Sequence, residues 1–217
     1  MHRGDPITSS LKHLVYLPEK PKDYLTVVAL HGRGTDQHDL IPLVESLGFD
    51  MLVIAPRAPR LFEVGGGYAW YDLGEVGMPD PNSFRESLKL LQNFLKEIRE
   101  GYPIDPARLV MLGFSQGAVM SYAAGLLDPT STRGIVALSG YIPNQSNLTI
   151  QWSELKDFPV FISHGSYDEL IPLELAKESA ELLRRAGANV TFREYTMGHQ
   201  VTEETLRDMI TWFQEAL

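Results

Sequence analysis

Along the chain, apolar and polar positions fall into two kinds of segment that alternate. Short runs that are apolar almost throughout include Leu25-Thr26-Val27-Val28-Ala29-Leu30, Met51-Leu52-Val53-Ile54-Ala55-Pro56, Leu109-Val110-Met111-Leu112, Ile135-Val136-Ala137-Leu138 and Val160-Phe161-Ile162. They are too short for buried helices and read as strands covered on both faces. Between them lie longer stretches with helical spacing. Ser83 to Gly101 places Leu88, Leu91, Leu95 and Ile98 on one stripe, and Ser83 and Glu86 have the spacing of a capping box. Gln37 to Gly48, Leu173 to Ala186 and Glu203 to Leu217 read as further helices, two of them stopped by a glycine.

Leu11 to Leu17 and Val190 to Tyr195 bring the expected strands to about seven. Only the stretch around Pro18-Glu19-Lys20-Pro21 separates Leu11 to Leu17 from Tyr24 to Leu30, which suits a hairpin at a sheet edge. Strands that alternate with helices predict an α/β fold, a mostly parallel sheet with helices on both faces. A chain of 217 residues supports one sizeable core, and no Ser/Gly-rich or Pro-rich linker divides it, so residues 1–217 read as a single domain.

In open α/β sheets, ligands bind at the carboxyl ends of the strands. The informative loops are therefore 31–36, 57–82, 113–117, 139–147, 163–172 and 196–202. The longest, from Arg57 to Asn82, has no clear period and carries Gly65-Gly66-Gly67 and Trp70-Tyr71-Asp72. A long irregular stretch inside a compact domain is usually a functional loop.

Charge and composition narrow the function. A formal net charge of -9 without clustered Lys and Arg argues against nucleic acid as a partner. With no cysteine in the chain, thiolate metal sites, disulfides and a Cys nucleophile are excluded. No stretch approaches the roughly 20 apolar residues of a membrane span, and the start, Met1-His2-Arg3-Gly4-Asp5-Pro6, lacks the apolar segment of a secretory signal. The expected compartment is the cytoplasm. The pattern is compatible with a monomer or a homo-oligomer.

One run stands out chemically. The strand Leu109 to Leu112 passes through Gly113-Phe114-Ser115-Gln116-Gly117 into a helical apolar pattern. A Gly-x-Ser-x-Gly turn between a strand and a helix lifts its serine out of the fold, and the two glycines supply positions where a side chain would not fit. The helix that follows aims unpaired N–H groups at the same point. Ser115 is the candidate nucleophile.

A serine hydroxyl needs a base to take its proton, and the ordinary pKa of histidine suits that role. Among six histidines, His31, His164 and His199 fall at strand ends or in the loops after them. Asp168 follows the strand that contains Val160 to Ile162, and the order Ser115, Asp168, His199 is that of a nucleophile-elbow hydrolase. It favours His199 over His164, which precedes the acid. An oxyanion hole needs two backbone N–H donors. Gln116, next to the nucleophile, supplies one, and Arg33 in His31-Gly32-Arg33-Gly34 is the expected second.

Taken together, Leu30-His31-Gly32-x-Gly34, Ala69-Trp70-Tyr71-Asp72, Gly113-Phe114-Ser115-Gln116-Gly117-Ala118, His164-Gly165 with Asp168, and Gly198-His199 resemble the phospholipase/carboxylesterase family of small α/β-hydrolases, which includes acyl-protein thioesterases. The resemblance runs from about residue 25 to the C-terminus. It implies a single-domain α/β-hydrolase without a large cap, acting as a serine esterase on a small-molecule acyl ester with no cofactor and no metal. It also implies a place for Trp70 near the substrate pocket. Many members carry leucine where this chain has Arg33. A backbone donor survives that change, but the side chains do not behave alike.

The absence of a long cap insertion favours short or medium acyl groups, with thioester and lysophospholipid substrates as alternatives. Two other readings differ in class. His31, Asp36, His38 and Asp39 superficially suggest a metal-dependent hydrolase, although Asp36 and Asp39 also suit a helix start. A non-catalytic binding protein on the same fold is the other, and such proteins usually lack a member of the triad.

Overall fold

The apolar runs pair to form the middle of a sheet, because a strand without a polar face is stable only where both faces are covered. The computed structural model describes residues 1–20, 24–74, 78–143, 146 and 148–217. In chain order its elements are β1 (His2–Arg3), β2 (His13–Leu17), β3 (Leu25–Leu30), α1 (Ile41–Ser46), β4 (Met51–Pro56), β5 (Arg60–Leu61), β6 (Tyr68–Ala69) and α2 (Pro81–Gly101). There follow β7 (Leu109–Phe114), α3 (Gln116–Leu127), β8 (Gly134–Leu138), β9 (Pro159–Gly165), α4 (Leu173–Arg185), β10 (Asn189–Tyr195) and α5 (Glu203–Ala216). Among the described residues the main sheet has eight strands in the order β1-β2-β4-β3-β7-β8-β9-β10. The strands from β4 to β10 in that order run parallel, while β2 and β1 close one edge antiparallel.

Alternate residues of each central strand enter different cores. Val28, Leu30, Met111, Ile135, Ala137 and Ile162 pack under α2, α3 and α4. Their neighbours Val27, Ala29, Val110, Leu112, Val136 and Phe161 pack under α1 and α5 with Met209, Trp212 and Phe213. The period of two along a strand thus sets up two cores and holds every loop after β3, β4, β7, β8, β9 and β10 at one edge of the sheet.

Three expectations are corrected. β2 and β3 do not form a hairpin: β4 lies between them, with Leu14 opposite Ala55 on one side and Val27 opposite Val53 on the other. The short connection left the pairing open, and the fully buried β4 fills the slot beside β3 because it needs a strand on each side. The eighth strand is β1, a two-residue pairing in the polar start that has no hydrophobic signature. α2 begins before Ser83. Its cap is Asp80, whose carboxylate accepts from the Ser83 N–H at 2.8 Å, and Pro81 follows at the first turn, where a missing N–H costs nothing. Ser83 is buried and its hydroxyl accepts from the Asp72 N–H, so it fastens the long loop to the helix.

Within 57–82, β5 and β6 form a small antiparallel pair, and β6 is tied to the 31–36 loop. The Gly34 N–H donates to the Tyr68 carbonyl and the Tyr68 N–H to the Thr35 carbonyl, each at 2.8 Å.

Candidate active site

At the end of β7 the chain must reverse into α3 within one residue, and Ser115 takes up that turn at φ 55 and ψ -120. A non-glycine residue held there costs about 1–3 kcal/mol, a strain that persists only where its surroundings fix it. They do so by close approach. A Cβ on Gly113 would collide with the Gly117 carbonyl, and one on Gly117 with the Leu30 carbonyl. The Ser115 carbonyl accepts from the Ala118 N–H at 3.0 Å and begins α3, whose twelve residues are buried almost throughout.

β3 ends beside this turn. A Cβ on Gly32 would stand 3.6 Å from the Ser115 Cβ, so the 31–36 loop lies against the serine. Among the described residues neither the Arg33 nor the Gln116 backbone N–H has an acceptor within the chain, and both residues line the cavity that holds Ser115. His31 is spent on holding the loop. Its Nε2 accepts from the Ala58 N–H at 3.0 Å, so Nδ1 carries the proton and donates to the Gly32 carbonyl at 2.7 Å. Burial lowers its pKa, which keeps the ring neutral and that tautomer in place.

Asp168 and His199 come from the ends of β9 and β10, which pair parallel. Gly165 lets the two loops close: a Cβ there would strike the Met197 and Gly198 carbonyls. His199 Nδ1 is 2.7 Å from Asp168 Oδ2, and the carboxylate has no exposed surface. The other carboxylate oxygen accepts from the Leu170 and Ile171 N–H groups at 3.0 and 2.9 Å. An acceptor-only carboxylate fixes the proton on Nδ1, which leaves Nε2 of His199 unprotonated and free to accept. His164 supports the acid from behind: its Nε2 donates to the Ile171 carbonyl at 2.8 Å and lies 3.4 Å from Asp168 Oδ2, and burial lowers its pKa.

Ser115, His199, Arg33 and Gln116 border one cavity of about 770 Å³, and each of the six loops at the carboxyl edge contributes to its wall. Trp70 does not. It has no exposed surface, and its indole N–H donates to the His31 carbonyl at 2.9 Å. Tyr71 lines the cavity in its place, because neighbouring residues after a strand face opposite ways and the parity of the segment decides which is presented. Tyr141, which no sequence motif marks, lines the cavity too, with its phenol beside that of Tyr71. Burial raises both phenol pKa values, so both stay protonated.

The four residues that suggested a metal do not converge. Asp36 accepts from the His38 N–H at 2.9 Å, Asp39 accepts from the Thr35 hydroxyl, and His31 is engaged as described. Among the described residues no three His, Asp or Glu side chains are grouped to hold an ion.

Residues 12–217 match the model of a protein family described as Phospholipase/Carboxylesterase. The chain belongs to this phospholipase/carboxylesterase family. The family match agrees with similar proteins over nearly the whole length. Acyl-protein thioesterase 1 of Candida albicans is 30% identical over 87% of this chain and 90% of that protein. Acyl-protein thioesterase 1 of Yarrowia lipolytica is 30% identical over 93% of this chain and 96% of its own length. Among solved structures, the Bacillus cereus carboxylesterase superposes with a TM-score of 0.85 at 25% identity, covering 95% of both chains. This member of the phospholipase/carboxylesterase family is a carboxylic ester hydrolase with the α/β-hydrolase fold. No helix among its described residues is long and apolar enough to cross a membrane.

Proposed function

We propose that the protein hydrolyses short- to medium-chain acyl esters in the cytoplasm, with residues 1–217 acting as one domain, Ser115 as nucleophile, His199 as base and Asp168 as its partner. One observation carries the reading: a serine in a strained turn shares a cavity with a histidine whose far nitrogen is anchored on a buried carboxylate at 2.7 Å. Ser115 Oγ attacks the acyl carbonyl while His199 Nε2 takes its proton. Asp168 holds the imidazole in orientation and stabilises its charged form. The carbonyl oxygen, now negative, accepts from the unpaired Arg33 and Gln116 N–H groups. Collapse of the intermediate breaks the bond to the alcohol, which leaves with the proton from Nε2. Water then gives a proton to His199 and attacks the acyl-enzyme, and a second collapse returns Ser115 with the acid as product.

A thioester is the second reading, supported by relatives named acyl-protein thioesterase 1. Turnover of matched oxygen esters and thioesters with acyl chains from acetyl to palmitoyl tests both readings. The proposal expects kcat/KM to peak at short or medium length. A steady rise up to palmitoyl would contradict it, and a thiol leaving group favoured at every length would give the protein to the second reading.

A further inference from the structure

The cavity beside Ser115 takes its walls from both cores. Phe114, Leu40 and Val201 belong to the core under α1 and α5, whereas Tyr71, Tyr141 and Ile171 belong to the core under α2, α3 and α4. His199 sits toward the first side, its ring centroid 4.8 Å from that of Phe114. A general acid has to lie within hydrogen-bond reach of the atom it protonates. In the reaction above that atom is on the leaving group, so the alcohol or thiol departs along the Phe114 side and the acyl chain lies along the Tyr71 side.

That second side is not built for a bare hydrocarbon chain. Arg33 lines the same cavity, its guanidinium over the Phe62 ring, 5.1 Å from the centroid, and near enough to the Tyr71 phenol for its charge to act on it; among the described residues it forms no ion pair. A cation resting on an aromatic face is held in place without being neutralised. Next to it, the Tyr71 and Tyr141 phenols face each other across the cavity wall. Neither phenol has an acceptor among the described residues apart from its neighbour, so at least one O–H is left to donate. Of the acidic residues at the cavity, Asp39 and Glu203 stand before α1 and at the start of α5, on the leaving-group side, and Glu169 lies on the exposed loop after Asp168. None of them pairs with Arg33.

We propose that Arg33 and the Tyr71–Tyr141 hydroxyl pair form a subsite for a carboxylate at the far end of the acyl group, so that half-esters or half-thioesters of short dicarboxylic acids are preferred. The subsite rests on Ser115 being the nucleophile and names the substrate class of that same site. A guanidinium and a phenol meeting a carboxylate are charge-assisted donors, worth roughly a tenfold to hundredfold preference.

The test compares kcat/KM for ethyl hydrogen glutarate with that for ethyl pentanoate, which has the same acyl length without the carboxylate. The wild-type enzyme should favour the glutarate by about tenfold or more. In Arg33→Leu the ratio should fall by at least about that factor, whatever happens to the absolute rates, and Arg33→Lys should restore part of it. Tyr141→Phe should lower it as well. Independently of any variant's folding, free glutarate should inhibit the wild-type enzyme more strongly than pentanoate. A wild-type ratio near one, a ratio unmoved in Arg33→Leu, or equal inhibition by the two acids overturns the subsite. If Ser115 is labelled by a fluorophosphonate and the ratio is still flat, only the subsite fails. If neither ester turns over and Ser115 is not labelled, the hydrolase reading fails and takes the subsite with it.

Discussion

The side-chain amide of Gln116 holds the backbone of Tyr71: Nε2 donates to the Tyr71 carbonyl at 2.8 Å while Oε1 accepts from the neighbouring Trp70 N–H at 3.0 Å. One residue thus presents its backbone N–H to the cavity and uses its side chain to fix the loop that forms the opposite wall. Gln116→Leu keeps the volume and the backbone but leaves two buried backbone groups unpaired. At about 1–3 kcal/mol each, the expected loss of stability is roughly 2–6 kcal/mol. Urea unfolding measures it, and a variant as stable as the wild type would mean that the clamp contributes nothing.

Asp168→Asn keeps the shape of the acid but not its charge. The amide can turn its N–H₂ toward His199 Nδ1, which then has to accept, and the proton moves to Nε2, the nitrogen that the proposed reaction needs unprotonated. The expected fall in kcat is about 10⁴-fold, in line with the same change in serine proteases. Asp157→Asn, in the turn just before β9 and so at the opposite edge of the sheet, should be nearly silent in the same ester assay. The reverse outcome would reassign the acid.

Three histidines are buried with lowered pKa values, His13, His31 and His164, in each case chiefly because burial disfavours the charged ring. Below the ordinary value of 6.5 the unfolded chain binds protons that the folded chain refuses. Stability is therefore fully present above that pH and is lost as pH falls below it, until each folded-state pKa is reached. The limiting slope is about 1.4 kcal/mol per pH unit for each histidine. Unfolding free energy measured between pH 8 and pH 5 should decline on the acid side, and the triple variant His13→Gln, His31→Gln, His164→Gln should show a flatter profile. An equal slope in both would remove histidine as the cause.

Gly117→Ala should cost at least about 3 kcal/mol, because the added methyl meets the Leu30 carbonyl and neither backbone can withdraw without opening the turn. Gly48→Ala offers the contrast. Its Cβ would meet nothing within 4 Å, so only the φ of 75 is penalised, at about 1–2 kcal/mol. Comparable thermal shifts in the two variants would contradict the crowding at the elbow.

The parts of this molecule legible in its sequence are those that one local rule decides. The buried strands announce themselves because Leu109 to Leu112 or Ile135 to Leu138 has no polar face, and Ser115 does so because only a glycine-flanked turn fits between β7 and α3. The pairing of β2 with β4 is a choice among partners that no local pattern encodes, and Asp80 outcompetes Ser83 as a cap because Pro81 suits the first helical turn. Trp70 and Tyr71 differ by one position, and the irregular chain before β6 gives no period from which to tell which of them turns inward. Tyr141 sits in a loop whose function is visible only once β8 places it opposite Tyr71.

The central claim is that Ser115 is the nucleophile, and turnover by Ser115→Ala tests it most directly. The variant should fold as the wild type does, escape labelling by a fluorophosphonate and lose about six orders of magnitude in kcat on a short-chain ester, the scale of loss when a serine hydrolase is deprived of its nucleophile. Labelling and turnover close to those of the wild-type enzyme would contradict it.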